Sequence, residues 1–274
     1  MAYHIKKTEG NKLISFHSLC TILTFIFMLL LICPLLPGES EAKAQDNADG
    51  RKADFLFRKP RVYFNIHSGI FFPEADSDIF KMVTRELTLE KSDFITWNIG
   101  ADFGCSVHKR IDLVFSLDHS KSNKTSEFRE YVGEDELPIT QSTTFSQYLH
   151  TAGIKFLIIP RGRQIGRFSW HPNPVIPYLS GGAGKIWYRF CQHGDFVDDD
   201  TLEIFPAFLK TSGKTYIGYL GSGVEFNIIK ATYINLDFRY YLDHRDNDFK
   251  GDFVGFDPIE LGGFRANAGI QWHF

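Results

Sequence analysis

From Arg61 to the C-terminus, apolar and polar residues alternate with a period of two, the pattern of strands with two unlike faces. The clearest case runs from Phe94 to Val107. There Ile95, Trp97, Ile99, Ala101, Phe103 and Cys105 share one face, and Thr96, Asn98, Gly100, Asp102 and Gly104 share the other. The same alternation sets Ile111, Leu113, Phe115 and Leu117 against Asp112, Val114, Ser116 and Asp118. It recurs where Ile234, Leu236, Phe238, Tyr240 and Leu242 oppose Asn235, Asp237, Arg239, Tyr241 and Asp243. In the last segment Phe264, Ala266, Ala268, Ile270, Trp272 and Phe274 oppose Arg265, Asn267, Gly269, Gln271 and His273. Aliphatics edged by aromatics, backed by a face that carries charges, suit a strand with lipid on one side and a polar interior on the other.

About eight such segments are expected, over 62–72, 93–106, 110–120, 145–159, 175–188, 214–228, 231–243 and 260–274. Each exceeds the roughly 9–11 residues that a tilted strand needs to cross a bilayer. The prediction is therefore all-β: an eight-stranded antiparallel up-and-down transmembrane β-barrel over residues 61–274. The connections alternate in length, as barrel loops and turns do. Val107-His108-Lys109 and Ile229-Lys230 are short, whereas most of the others are long and acidic. The exception is the stretch from Pro160 to Pro174, long for a turn and carrying Arg161, Arg163 and Arg167 with no acid. Residues Phe80 to Lys91 read as a loop, with a short helical turn as the alternative.

Composition narrows the function classes. At 43% hydrophobic and 15% aromatic residues the chain is too apolar for disorder. With 30 Lys and Arg against 33 Asp and Glu, it is too balanced for a polybasic nucleic-acid binder. A mean hydropathy of -0.16 argues against a helical membrane protein, yet it is what a lipid face averaged with a polar lumen would give. The 27 Phe are expected on outer faces and strand ends.

The N-terminus reads as a signal peptide over residues 1–44. Lys6, Lys7 and Lys12 precede an apolar stretch from Leu19 to Leu36, and Ala42-x-Ala44 suits cleavage before Gln45. The alternative is a retained anchor helix, since the stretch is close to the ~18-residue lower limit for spanning. Residues 45–60 are polar and aperiodic and read as a flexible arm. Only Cys105 and Cys191 remain after the leader, at opposite ends of the expected fold, so they are expected to be unpaired.

The terminal Ala268-Gly269-Ile270-Gln271-Trp272-His273-Phe274 resembles the closing strand of Gram-negative outer-membrane barrels. Pro177-Tyr178-Leu179-Ser180-Gly181-Gly182-Ala183-Gly184 and Asp237-Phe238-Arg239-Tyr240-Tyr241 resemble the fifth and seventh strands of the small OmpA/OmpW-like barrel superfamily. The resemblance covers most of residues 61–274. It implies localisation in the outer membrane of a Gram-negative bacterium, with outer-membrane lipid and lipopolysaccharide as surroundings. It also implies that Trp272 and Phe274 form the signal read by the barrel-assembly machinery during biogenesis. A fold-level resemblance leaves function open.

Inward faces give the candidate site. Alternation points Glu225, Asp237, Arg239 and Arg265 into a narrow lumen, where charges must pair or be hydrated. Asp102, Asp112, Asp118 and Lys155 could extend that network. Arg161, Arg163 and Arg167 are expected in a periplasmic basic turn facing inner-leaflet phosphates, with Trp170 at the interface. His244-Arg245-Asp246-Asn247 invites comparison with outer-membrane lipid A deacylases, which carry His-x-Ser-Asn near this strand end. Asp246 stands where the nucleophilic Ser would be, and Glu260 downstream cannot replace it. The ten His lack metal-ligand spacing, and the acidic runs at 198–200 and 243–257 lack the pattern of a calcium loop. The expectation is a non-enzymatic barrel without metal or cofactor and without nucleic-acid partners, structural or surface-interacting. The alternatives are a narrow channel for ions or small hydrophobic solutes and, third, an enzyme modifying lipid A.

Overall fold

A computed structural model describes Leu56, residues 58–133, 136–165, 169–198, Thr201, 203–243, Phe253 and 257–274. The leader, Arg167 and the His244–Asn247 motif lie outside the described residues. The strands are β1 (Val62–Pro73), β2 (Thr96–Ser106), β3 (Ile111–Val132), β4 (Pro138–Leu157), β5 (Gly162–Ile165), β6 (Ser169–Pro172), β7 (Val175–Val197), β8 (Ile204–Ile229), β9 (Thr232–Asp243) and β10 (Gly263–His273). Eight of them close into one antiparallel barrel, ordered β1-β2-β3-β4-β7-β8-β9-β10, while β5 and β6 form a separate hairpin. The chain is thus an eight-stranded up-and-down β-barrel of the transmembrane kind.

Alternation survives residue by residue. In β1 the odd positions from Tyr63 to Phe71 are buried and the even positions Phe64, Ile66, Ile70 and Phe72 are exposed. Opposite them, β10 exposes Phe264 and Ile270 while burying Arg265, Asn267, Gln271 and His273. The seam between these strands runs in unbroken register from Tyr63↔His273 to Pro73↔Gly263. Closure leaves no open edge over the height at which all eight strands pair. An exterior of exposed Ile, Leu and Phe is stable only against an apolar medium, since such surface costs roughly 25 cal/mol per Å² in water.

Three features depart from the sequence expectation. First, β3, β4, β7 and β8 are far longer than the bilayer requires, at 22, 20, 23 and 26 residues. They rise beyond the other four strands as a half-wall, so Cys191 sits within β7 and not in a loop. Neither Cys105 nor Cys191 forms a disulfide. Second, the stretch read as a loop holds α1 (Asp78–Glu86) and a 3-10 turn (Lys91–Phe94). Third, Leu56, assigned to the flexible arm, bridges to Trp170 by paired backbone hydrogen bonds of 2.9 Å.

Candidate functional site: the lumen

Two unlike layers fill the inside of the barrel. The one towards the chain termini is polar. Glu225 of β8 is fully buried and accepts hydrogen bonds from Lys155 Nζ at 3.1 Å and from Arg161 Nε and Nη2 at 2.8 Å each. Arg161 Nη1 also lies 2.7 Å from Asp112 Oδ2 and donates to Ser106 Oγ at 3.1 Å. A carboxylate gripped along one guanidinium edge, with an ammonium on the same oxygen, is among the stronger charge-assisted contacts.

Farther in, Arg239 Nη2 donates to Asp102 Oδ1 at 3.2 Å, and Nη1 to Ser116 Oγ at 2.9 Å. Its Nε faces Asp237 Oδ1, whose other oxygen accepts from Tyr178 OH at 2.6 Å. His67 stands between two carboxylates, with Nε2 2.9 Å from Asp118 and Nδ1 3.3 Å from Asp102. A ring that meets an acceptor at each nitrogen can donate to both only as the imidazolium. Arg265 closes the layer, with Nη1 3.6 Å from Asp118 and Nη2 3.2 Å from Gln147 Oε1.

Aromatic rings insulate this network. Lys155 Nζ lies 4.2 Å from the Tyr178 ring centroid and 5.0 Å from that of Tyr63, and the Arg161 guanidinium is 4.8 Å from Tyr63. Such contacts gain when desolvated, by about 2 kcal/mol each. The rings find room because glycines face them. A Cβ on Gly104 would come within 2.0 Å of the Tyr63 ring, and one on Gly223 within 2.3 Å of Tyr178 OH. Each tyrosine lies across the missing side chain of the neighbouring strand.

The layer at the far end is apolar. Phe145 and Leu149 of β4, Ile186 and Phe190 of β7, and Ile217 of β8 point inward at one another's level. Into that mouth folds α1, burying Ile79, Phe80 and Val83. Phe80 meets Phe94, Phe145 and Phe190 edge-on at centroid distances of 4.9, 5.5 and 6.0 Å. The segment is tied to the wall by Thr88 N–H to Glu127 O (2.8 Å), Arg129 Nε to Leu87 O (2.7 Å) and Asp76 N–H to Glu260 Oε2 (2.9 Å). The expectation that Phe is sorted to the exterior therefore fails at Phe71, Phe80, Phe94, Phe145, Phe190 and Phe253, all buried.

The predicted site residues fall as follows. Glu225, Asp237, Arg239 and Arg265 meet in the lumen, joined by Asp102, Asp112, Asp118 and Lys155. The basic turn divides. Arg163 is exposed, but Arg161 turns inward and is buried against Glu225 and Asp112. It therefore is not available to inner-leaflet phosphates: its guanidinium is turned away from the surface and its donors are taken by two buried carboxylates. Trp170 is likewise buried, at 4% exposure, over Gly162 and beside the Leu56 bridge, and so lies away from an interface. Trp272 is half-buried and Phe274 is 73% exposed on the outer face. Among the described residues no His, Cys, Asp or Glu cluster could hold a metal ion. Glu260 is buried and caps the Asp76 amide.

No family model and no curated protein matches the chain. Solved structures do. The outer membrane protein OprG from Pseudomonas aeruginosa is 13% identical with a TM-score of 0.42, covering 80% of this chain and 99% of its own. Neisserial surface protein A is 13% identical at 0.40, covering 78% and 96%. The N-terminal β-barrel domain of Pseudomonas aeruginosa OprF is 10% identical at 0.34, covering 78% and 98%. The likeness is to small outer-membrane barrels. It is one of fold alone.

Proposed function

We propose that the chain is a non-conducting, non-enzymatic barrel of a Gram-negative outer membrane, structural or surface-presenting in role. The observation that carries the reading is the double occlusion of the lumen. Four permanent cations and five carboxylates interlock across one layer, with His67 set between Asp102 and Asp118. Moving an ion past them would require breaking buried pairs, each costing about 3–5 kcal/mol. Above them α1 and its aromatic partners leave a dry apolar layer that an ion cannot enter without losing its water. The exposed aliphatic belt supports a bilayer environment, and the half-wall of β3, β4, β7 and β8 supports a surface role beyond it.

The test is conductance of the refolded barrel in planar bilayers, with heat-modifiable migration as the check of folding. Folded protein that leaves the bilayer silent is expected. Discrete openings of the unmodified chain would overturn the reading in favour of a narrow channel.

A further inference from the structure

The half-wall has an outer face unlike the rest of the barrel exterior. Ascending β3, the outward positions pass from Leu113, Phe115 and Leu117 to His119 and Lys121. On β4 they pass from Ile154 and Ala152 to His150, Tyr148 and Ser146. On β7 Ala183 is followed by Lys185, Trp187 and Arg189, and on β8 Leu220 and Gly218 are followed by Tyr216, Lys214 and, two positions beyond Ser212, Lys210. Three strands of this face thus change from apolar to aromatic or imidazole and then to cationic or hydroxyl side chains within a few outward positions, and on β7 the cations Lys185 and Arg189 flank Trp187.

Register brings the cations together. Lys121 pairs with Ser146, Ser146 with Arg189, and Arg189 with Ser212, in one row across four strands. Lys214 stands opposite Trp187 and Lys210 opposite Cys191, in the rows on either side. Lys121, Arg189 and Lys210 all act electrostatically on the Cys191 thiol, so they share one neighbourhood. Lys185 Nζ sits 5.7 Å from the Trp187 ring and 5.5 Å from that of Tyr216. With strands about 4.8 Å apart and about 3.3 Å per residue, the five cations span roughly 14 by 20 Å. The outward positions between them are Ser, Thr, Asn, His, Cys and aromatics, with no carboxylate, in a chain whose formal net charge is -3. The opposite half of the exterior ends on Phe72, Trp97, Tyr240 and Phe264 with no such cations.

We propose that this face, carried by Lys121, Lys185, Arg189, Lys210 and Lys214, binds the phosphate groups of an anionic glycolipid in the outer leaflet. The inference rests on the outer-membrane reading above. Its basis is charge complementarity at a fixed height. The cations begin where the lipid-facing residues stop, the level at which headgroup phosphates lie. Aromatic rings at the same level hold the interface on their apolar bodies. Arg189 can grip a phosphate with its fork, and the lysines act as point charges around it.

The experiment uses the full folded barrel in detergent and compares lipid A bearing both phosphates with lipid A of the same acyl chains lacking them. Binding is followed by native mass spectrometry. The phosphorylated lipid is expected to bind the unmodified chain far more tightly. The triple variant Lys121→Gln, Arg189→Gln, Lys214→Gln should lose affinity by about a hundredfold, since each surface cation contributes roughly fivefold. Its heat-modifiable migration should be unchanged, because all three side chains point outward. Millimolar inorganic phosphate should not displace the lipid; displacement would show an anion site and overturn the assignment to a lipid. Equal affinity for the two lipids, or a variant that binds like the parent, would sink this inference alone. A chain that never gives a folded, heat-modifiable species would sink the outer-membrane reading together with it.

Discussion

Replacing Glu225 by Gln keeps the shape of the side chain and removes one charge from the centre of the polar layer. Three hydrogen bonds from cationic donors end on that carboxylate, at 2.8 Å, 2.8 Å and 3.1 Å. Arg161 would keep Asp112 at 2.7 Å, so its charge stays compensated. Lys155 loses the carboxylate it binds and stays 2% exposed, held by the Tyr178 ring and facing Asp112 across the β3–β4 register. Leaving a buried charge without its partner costs about 3–5 kcal/mol, and these fallback contacts put the loss near the lower end, about 3 kcal/mol.

The assay is urea unfolding of the barrel in vesicles, followed by tryptophan fluorescence. At a slope of about 2 kcal/mol per molar urea, the midpoint should fall by about 1.5 M. The variant Glu225→Leu with Lys155→Met removes both charges together and should recover most of that loss, because a buried pair exchanged for apolar groups is close to neutral. With the singles Glu225→Leu and Lys155→Met added, the double-mutant cycle reads the coupling directly. An unchanged midpoint for Glu225→Gln would refute the account of the network as a set of obligatory pairs. A double variant no better than the single would refute it too.

Other perturbations probe the remaining parts. Phe80→Ala removes the centre of a four-ring cluster and should cost about 3–5 kcal/mol locally, seen as faster protease cleavage within residues 74–95; unchanged cleavage would mean that α1 is not held by that contact. Gly223→Ala puts a Cβ against Tyr178 OH and the Leu236 carbonyl, and should cost about 1–3 kcal/mol in the same urea assay; Gly218→Ala, with no atom nearer than 3.8 Å, should be close to silent. Deleting Phe274 removes the residue whose carbonyl accepts from Arg61 N–H at 2.8 Å and whose N–H donates to Val62 O at 2.9 Å. Outer-membrane yield should drop several-fold, and undiminished assembly would contradict the reading of the terminus as a signal.

What alternation could reveal, it did, because a barrel wall has one rule and every strand obeys it. Glu225, Asp237, Arg239 and Arg265 could be placed inside from parity alone, and so could Asp102 and Asp118. What parity cannot carry is the partner of each charge. Glu225 and Arg161 are separated by 64 residues along the chain and meet because β8 and the β4–β5 connection share one end of the lumen. Arg161 looked like a surface arginine since its neighbours Arg163 and Gln164 are surface residues. His67 was passed over because one His among polar neighbours has no local signature.

The plug is partly legible in the sequence. On β7 the inward positions Ile186, Tyr188 and Phe190 are apolar, as are Phe145 and Leu149 on β4, which a water-filled mouth would not tolerate. An apolar ring inside a barrel needs an apolar filler, and Ile79, Phe80 and Val83 occupy one face of a helical stretch in the first long connection. The basic face was missed for the opposite reason. Counted over the whole chain its cations disappear into a net charge of -3, and they become a feature only when strand register stacks Lys121, Arg189, Lys210 and Lys214 side by side. The long strands that raise this face also supply the inward Phe145 and Phe190 that receive α1, so one extension of β4 and β7 builds the lid inside and the charged surface outside. Shortening that half-wall is therefore expected to loosen the plug and remove the cationic face together, whereas the Gln substitutions on its outer side leave the plug intact.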